Sequence, residues 1–203
     1  MSLQDPDVRK PDISLNLRSV LDALQEDGRL SREASETLSL KTRTKDQLDW
    51  HPMELIAEEK PADVANPGRF LDLETLTLWL CERFSQPYKR IDPLKIDSTA
   101  VTRVMSSEFA RRHQILAIDV TDEVVLIASA QPTVYGWEGT IEQSQPGKRI
   151  ERVIANPQDV RRYTDEFYNM ARSVSQASAQ GLNSSGLTNL EQMLELGHIG
   201  SME

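Results

Sequence analysis

The stretch that decides the fold is "ILAIDVTDEVVLIASA", residues 115–130. Two runs of β-branched and other apolar residues flank the polar triplet at residues 121–123. Because such runs, separated by a short polar turn, are typical of paired strands, the stretch predicts a hairpin of two central strands. Residues 149–155, "RIERVIA", alternate in polarity and then become wholly apolar, which predicts a further strand that enters a core. The sequence therefore predicts a small sheet.

Helical patterns surround these strands. Residues 156–174 contain the clearest helix, in which an apolar residue recurs every three or four positions. Residues 71–84 predict another helix, with Asp72 at its N-cap, and residues 132–143 predict one that begins at Pro132. The combination indicates an α/β (α+β) fold, a compact domain in which a mixed sheet of three to four strands is flanked by helices.

The first 65 residues carry three short amphipathic patterns. The first predicts a helix between a cap at Ser14 and a terminating Gly28, the second follows Ser31, and the third begins at Pro52. Three short helices bury too little surface to be stable alone, so we expect them to pack on another part of the chain or to move as a hinged unit.

These patterns divide the chain into three parts. Residues 1–65 are predicted to form a small helical subdomain, and residues 66–174 the α/β domain. Residues 175–203 are predicted to be a flexible linker with a short helix, because the tract begins rich in Ser, Gly, Gln and Asn.

A proline-containing tract, residues 84–97, "FSQPYKRIDPLKID", lies inside the predicted α/β domain. Pro87 is predicted to end the preceding helix, because the residue before a proline disfavours helical geometry. Residues 88–91 then predict a short edge strand, and Asp92 with Pro93 predicts a turn. We interpret the tract as an ordered join within one domain.

Composition excludes several classes of protein. The net charge of −9 disfavours nucleic acid as a partner, because binding phosphates requires a concentrated positive field. The single cysteine, Cys81, excludes an intramolecular disulfide and any multi-cysteine metal site. No apolar run reaches the roughly 20 residues that a bilayer requires, and the N-terminus lacks the apolar core of a signal peptide. We therefore expect a cytoplasmic protein that is not inserted in a membrane.

The sequence predicts no catalytic, cofactor or metal site. The pair Gly147-Lys148 lacks the upstream glycine and the following hydroxyl residue of a P-loop. The three histidines lie in separate segments without marked partners, and Cys81 lies near an apolar stripe, as a small core residue does. We therefore predict that this chain is not itself an enzyme.

Four segments in order resemble the N-terminal domain of type II secretion and type IV pilus assembly ATPases. The segments are "QPYKRIDPLKID", "SSEFARRHQILAI", "DEVVLIASAQP" and "RVIANPQDVRRYTDEFY", within residues 70–174. The resemblance implies that ATP, Mg and the contacts that build a hexamer belong to an ATPase core outside this sequence. It also implies a partner, the cytoplasmic part of an inner-membrane platform protein.

Some members of that family bind cyclic-di-GMP through a repeated pattern, "RLGxxLVxxGLI". Aligning Gly28 with its second glycine puts Ser19, Val20 and Leu21 where Arg, Leu and Gly would stand, and Arg29 replaces an apolar residue. The second copy would fall at "WHPMELIAEEK", which has neither the arginine nor the glycines. These departures argue against cyclic-di-GMP as a ligand. The alternative stays open because of three residues that can stack on or pair with a nucleotide: Trp50, Arg69 and Arg18.

The resemblance therefore implies a non-catalytic docking and regulatory domain, peripheral to the inner membrane through its partner. The alternative is a cyclic-di-GMP-responsive regulatory domain of the same class of motor. Apolar residues of the helical patterns are candidates for the partner surface: Leu17, Leu21, Leu24, Trp79 and Phe84. The same residues can instead close the protein's own core, because apolar stripes usually face inward.

Overall fold

A computed structural model describes residues 12–198, with side chains described as far as residue 178. The helices are α1 (Leu17–Glu26), α2 (Arg32–Ser39), α3 (Pro52–Glu58), α4 (Leu73–Phe84), α5 (Ser98–Val101), α6 (Ser107–His113), α7 (Glu138–Ser144) and α8 (Pro157–His198). The strands are β1 (Ile115–Val120), β2 (Val124–Ser129) and β3 (Arg149–Ile154). Short 3-10 turns occur at Lys45–Gln47 and Pro93–Lys95.

The sheet is mixed and has the order β1-β2-β3. Strands β1 and β2 are antiparallel and form the predicted hairpin, with Ile115 opposite Ser129. Strand β3 runs parallel to β2, with Ser129 opposite Ile154, and α7 provides the crossover that a parallel pair requires. The mixed sheet flanked by helices confirms the predicted α/β fold.

The proline-containing tract is ordered as predicted, but its strand is reduced to one bridge. Tyr88 pairs in parallel with Ile154, whose N–H donates to the carbonyl of Pro87 at 2.8 Å. The Lys89 N–H in turn donates to the carbonyl of Ile154 at 2.9 Å. Helix α4 ends before Pro87, because Ser85 adopts the left-handed conformation with φ 51° and serves as the C-cap.

Two predicted helix starts are wrong. Asn16, and not Ser14, caps α1, because its side chain accepts from the Ser19 N–H at 2.9 Å while the Ser19 hydroxyl accepts from the Asn16 N–H at 3.0 Å. Pro132 does not begin a helix. The residues after it form a loop, and α7 starts only at Glu138.

Two hydrophobic cores lie side by side. The first is between the sheet and helices α5, α7 and α8, and Trp137 is its largest fully buried side chain. The second is formed by α1 to α4, and its buried members include Met53, Ile56 and Leu80. Ile154, at the end of β3, belongs to this second core. The N-terminal helices therefore pack on the α/β domain, which is the first of the two alternatives that the sequence left open.

Helix α8 continues to residue 198, through the tract for which the composition predicts a linker. The backbone there is helical where a coil was expected, and no proline follows Pro157 to interrupt it. The division into residues 1–65, 66–174 and 175–203 stays a prediction. Over residues 12–198, none of the helices is both long enough and apolar enough to span a membrane.

Candidate functional site

The loop that follows β2, residues 130–136, is where the N-terminal region meets the α/β domain. We call it the junction loop. Four of its hydrogen bonds reach three distant segments of the chain. The bonds, with the donor first, are His51 Nε2 to Ala130 O (2.9 Å), Leu15 N to Gln131 Oε1 (2.8 Å), Gln86 Nε2 to Pro132 O (2.9 Å) and Thr133 Oγ1 to Ile13 O (2.5 Å). The loop therefore holds together parts of the chain that are distant in sequence.

His51 is the buried centre of this junction, with 2% of its surface exposed. Its Nδ1 accepts from the Met53 N–H at 3.2 Å, which leaves Nε2 protonated to donate to the carbonyl of Ala130. Burial lowers the pKa of His51 to about 4, so the ring is neutral at pH 7. Since both nitrogens are engaged, the ring has a structural role and is not a free base.

Glu54 and Arg161 form a bidentate ion pair beside His51. The Arg161 Nη1 and Nη2 atoms each donate to a Glu54 carboxylate oxygen at 2.7 Å, and the His51 N–H donates to the same carboxylate at 2.8 Å. Glu54 is 5% exposed. Arg161 also lies 6.0 Å from the ring of Trp50. The pair joins α3 to α8, so it connects the N-terminal helices directly to the α/β domain.

Two cavities of about 420 and 460 Å³ lie at this junction, and both are lined by His51, Arg112 and Gln114. We call the two together the junction cleft. The smaller cavity lies against α6 and α8, and the larger one is also lined by Arg43 and Trp50. Arginine side chains next to an indole ring can bind an anionic, flat group. The cleft therefore has the chemistry of a binding site.

Burial shifts the pKa of two side chains that could take part in catalysis, Cys81 and His113. Cys81 is buried, and burial raises the pKa of its thiol to about 11. The pKa of His113 is lowered by burial and by the neighbouring charge of Arg112. Among residues 12–178, whose side chains are described, no group of three or more His, Cys, Asp or Glu side chains is placed to hold a metal ion.

The five candidate surface residues all lie in or against the core formed by α1 to α4. Leu21, Leu24 and Trp79 are at most 4% exposed, so they close the protein's own core, which was the alternative interpretation. Leu17 and Phe84 are half-buried against the same core and keep part of their surface exposed. A partner surface on this side can therefore include only the last two of the five.

The positions compared with the cyclic-di-GMP pattern are used in the protein's own structure. Ser19 takes part in the cap of α1, and Val20 is buried. Arg29 donates twice to the buried carboxylate of Asp63, at 3.0 and 2.8 Å. Of the three residues that left this ligand open, Trp50 lines the junction cleft, whereas Arg18 and Arg69 are exposed outside it.

Comparison with known proteins agrees with the resemblance seen in the sequence. Residues 84–174 match the MshEN domain family. The chain is 37% identical over 177 residues to the type IV pilus assembly ATPase TfpB of Acinetobacter baylyi, an alignment that covers 87% of this chain and 30% of TfpB. The chain therefore spans less than a third of the length of that relative.

Two solved structures are similar at low sequence identity. The structure of MshE with cdg has 17% identity and a TM-score of 0.48, covering 73% of this chain and 98% of that chain. The structure of the N-terminal domain of XpsE has 13% identity and a TM-score of 0.40, covering 81% and 97%. Residues 84–174 are therefore similar to the MshEN domain family, and the chain is similar over 177 residues to a type IV pilus assembly ATPase.

Proposed function

We propose that this chain is a non-catalytic docking and regulatory domain of a type IV pilus assembly or type II secretion ATPase. Its partner is the cytoplasmic part of an inner-membrane platform protein, which would place it in the cytoplasm at the inner membrane. The observation that carries the proposal is the 37% identity to TfpB over a segment that is only 30% of that ATPase. ATP, Mg and the contacts of a hexamer would belong to the rest of such a motor.

The architecture suits a domain that holds a motor in a defined orientation. The N-terminal helices and the α/β domain are joined by a shared core residue, Ile154, and by the buried pair of Glu54 and Arg161. Helix α8 has 42 residues, which at 1.5 Å per residue makes it about 60 Å long. A continuous helix rooted in the domain can transmit the domain's orientation along its length.

Leu17 and Phe84 are the proposed contact residues for the partner. Each packs against the core of α1 to α4 and keeps part of its surface exposed. The exposed part can make an apolar contact with a partner without disturbing the protein's own packing. Deleting residues 1–65 would uncover Leu76 and Leu80, which are fully buried, so point substitutions are the sharper test.

The test is a pull-down of the whole chain by the cytoplasmic domain of the cognate platform protein. The double variant Leu17→Ser with Phe84→Ser should bind more than about tenfold more weakly than the unaltered chain, because apolar contacts at interface centres carry much of the affinity. Leu94→Ser is the matched control, since Leu94 is 95% exposed on a 3-10 turn of the α/β domain. If the unaltered chain does not bind, docking is wrong. If the double variant binds equally well, the proposed surface is wrong.

A cyclic-di-GMP-responsive regulatory domain is the second candidate. The junction cleft favours it, because Trp50, Arg43 and Arg112 line a cavity between the N-terminal helices and the α/β domain. The departures from the family pattern and the engagement of Arg29 with Asp63 argue against it. Calorimetry with this dinucleotide separates the two candidates. Micromolar or tighter binding would support the second, and no heat change at higher concentration would eliminate it.

A further inference from the structure

Residues 12–15, "DISL", cross the junction loop as an extended segment that we call the strap. Two hydrogen bonds join the backbone of Ile13 to Thr133. The Thr133 hydroxyl donates to the Ile13 carbonyl at 2.5 Å, and the Ile13 N–H donates to the Thr133 carbonyl at 3.4 Å. The Leu15 N–H donates to the side chain of Gln131 at 2.8 Å. The strap is therefore attached to the α/β domain at both Ile13 and Leu15, although about 120 residues separate the partners in sequence.

Asp12 fastens the outer end of the strap. Its Oδ1 accepts from the Tyr135 N–H at 2.7 Å, and its two oxygens accept from the Gly136 N–H at 3.1 and 2.9 Å. Hydrogen bonds to an ionised carboxylate are stronger than those between neutral groups. Asp12 therefore makes the strongest single attachment of the strap.

Because Gly136 has no side chain, the Asp12 carboxylate can approach its backbone closely. A Cβ atom at this position would lie 2.4 Å from Asp12 Oδ2, and the nearest atoms around it all belong to Asp12. The backbone of Gly136 does not have a positive φ, so its conformation does not demand glycine. The absence of a side chain serves the close approach of the Asp12 carboxylate.

The strap also forms one wall of the larger cavity of the junction cleft. Asp12 and Leu15 line this cavity together with Trp50 and Arg112. Moving the strap away would expose these cleft residues and remove one of the connections between the N-terminal helices and the α/β domain.

We propose that the strap is a releasable latch, held by the contact of Asp12 with Gly136, that narrows the junction cleft by forming one of its walls. In the closed form it forms one wall of the cavity beside Trp50. In the open form this wall is removed and the N-terminal helices are held only by the remaining contacts. The latch is a property of this chain and does not require the platform partner.

A double-mutant cycle on the whole chain tests the latch. Asp12→Ala removes the carboxylate, and Gly136→Ala displaces it, so each should lower the hydrogen-exchange protection of the Tyr135 and residue 136 amides by about tenfold or more. Because both substitutions break the same contact, adding Gly136→Ala to Asp12→Ala should change protection less than twofold further. The matched controls, Asp22→Ala and Gly139→Ala, alter an exposed aspartate and a glycine with open space and should leave protection unchanged.

Tryptophan fluorescence gives an independent measurement. Trp79 and Trp137 are at most 4% exposed, whereas Trp50 is half-buried in the cleft, so iodide quenching reports mainly on Trp50. Either latch variant should increase the quenching constant, and the controls should not. Additive effects of the two substitutions, or unchanged quenching and protection in Asp12→Ala, would overturn the proposal.

Discussion

Glu54 and Arg161 are 107 residues apart in sequence and are joined by two hydrogen bonds of 2.7 Å each. Glu54 lies at the start of α3 and is almost fully buried, while Arg161 projects from α8 with about a third of its side chain exposed. The N-terminal helices are thus bound to the α/β domain by a charge pair as well as by a shared apolar core.

Glu54→Ala should lower the free energy of unfolding by about 2–3 kcal/mol. Removing one partner of a buried pair leaves the other charge without compensation, and the partial exposure of Arg161 reduces that penalty. Urea unfolding followed by far-UV circular dichroism measures the change. Glu36→Ala is the matched control, because Glu36 pairs with Arg32 at an exposed site and should change stability by less than about 0.5 kcal/mol. Equal effects of the two substitutions would contradict the structural role of the pair.

His51 should make the protein less stable as the pH falls. The pKa of the folded residue is lowered by burial from 6.5 to about 4, so between these values the unfolded chain binds a proton that the folded chain does not. The contribution of neutral His51 is therefore complete above about pH 7 and is lost as the pH falls towards 4. At about 1.4 kcal/mol per pKa unit, the loss is on the order of 3 kcal/mol.

Urea titrations at several pH values, with the His51 ring followed by NMR, measure this dependence. His51→Asn keeps a capping side chain for α3 and should remove most of the slope between pH 6.5 and 4. His113→Gln is the control variant, because the pKa of His113 is also lowered but its ring is only half-buried. This substitution should change the pH dependence of stability less than His51→Asn does. Titration of His51 near 6.5 in the folded protein would show that the ring is not buried as described.

Asp63 should prove necessary for the loop between α3 and α4. Its carboxylate is 1% exposed and accepts from Arg29, from the Ala65 N–H at 3.1 Å and from Asn66 Nδ2 at 2.8 Å. The bond from Arg29 lowers the pKa of Asp63, so its contribution is present at neutral pH and is lost as strong acid protonates it. Asp63→Ala should cost about 3 kcal/mol in urea unfolding, since it leaves buried donors unpaired. Asp22→Ala, at an exposed position, is the control. If Asp63→Ala lowers the free energy of unfolding by no more than about 0.5 kcal/mol beyond Asp22→Ala, this role is wrong.

Cys81 should react slowly with thiol reagents in the folded protein. Its thiol is buried, and the pKa of about 11 leaves very little thiolate at pH 8. Labelling by a chromogenic disulfide should be more than about a hundredfold slower than for a free cysteine, and should become fast in denaturant. Rapid labelling of the native chain would mean that α4 does not pack as described and that a reactive thiol is present.

The fold was predictable from the sequence where the signal is local. The two apolar runs around residues 121–123 predicted the hairpin, and the cap at Asp72 and the helix after Ser31 are present as predicted, because such patterns depend on neighbouring residues. The helix predicted to begin at Pro132 is absent because long-range contacts override the local signal. A proline permits a helix start, but here the following residues are held by bonds to distant segments.

The junction was not predictable, because its contacts are long-range. The periodicity of Leu21 and Leu24 identifies an apolar face, but it does not show whether a partner or another helix covers that face. No local sequence pattern indicates the hydrogen bonds that Asp12 accepts or those that Arg161 donates. Only Glu54 had a local signal, since it stands three residues after the cap His51, as the carboxylate of a capping box does.

Docking to the platform protein is tested most directly by calorimetric titration of the whole chain with the cytoplasmic domain of that protein. We expect a one-to-one complex with a dissociation constant of about 10 μM or tighter, the range of a specific domain contact. The double variant at Leu17 and Phe84 should weaken it, and Leu94→Ser should not. An unaltered chain that gives no binding heat at about 100 μM, at two temperatures, would contradict the proposed function.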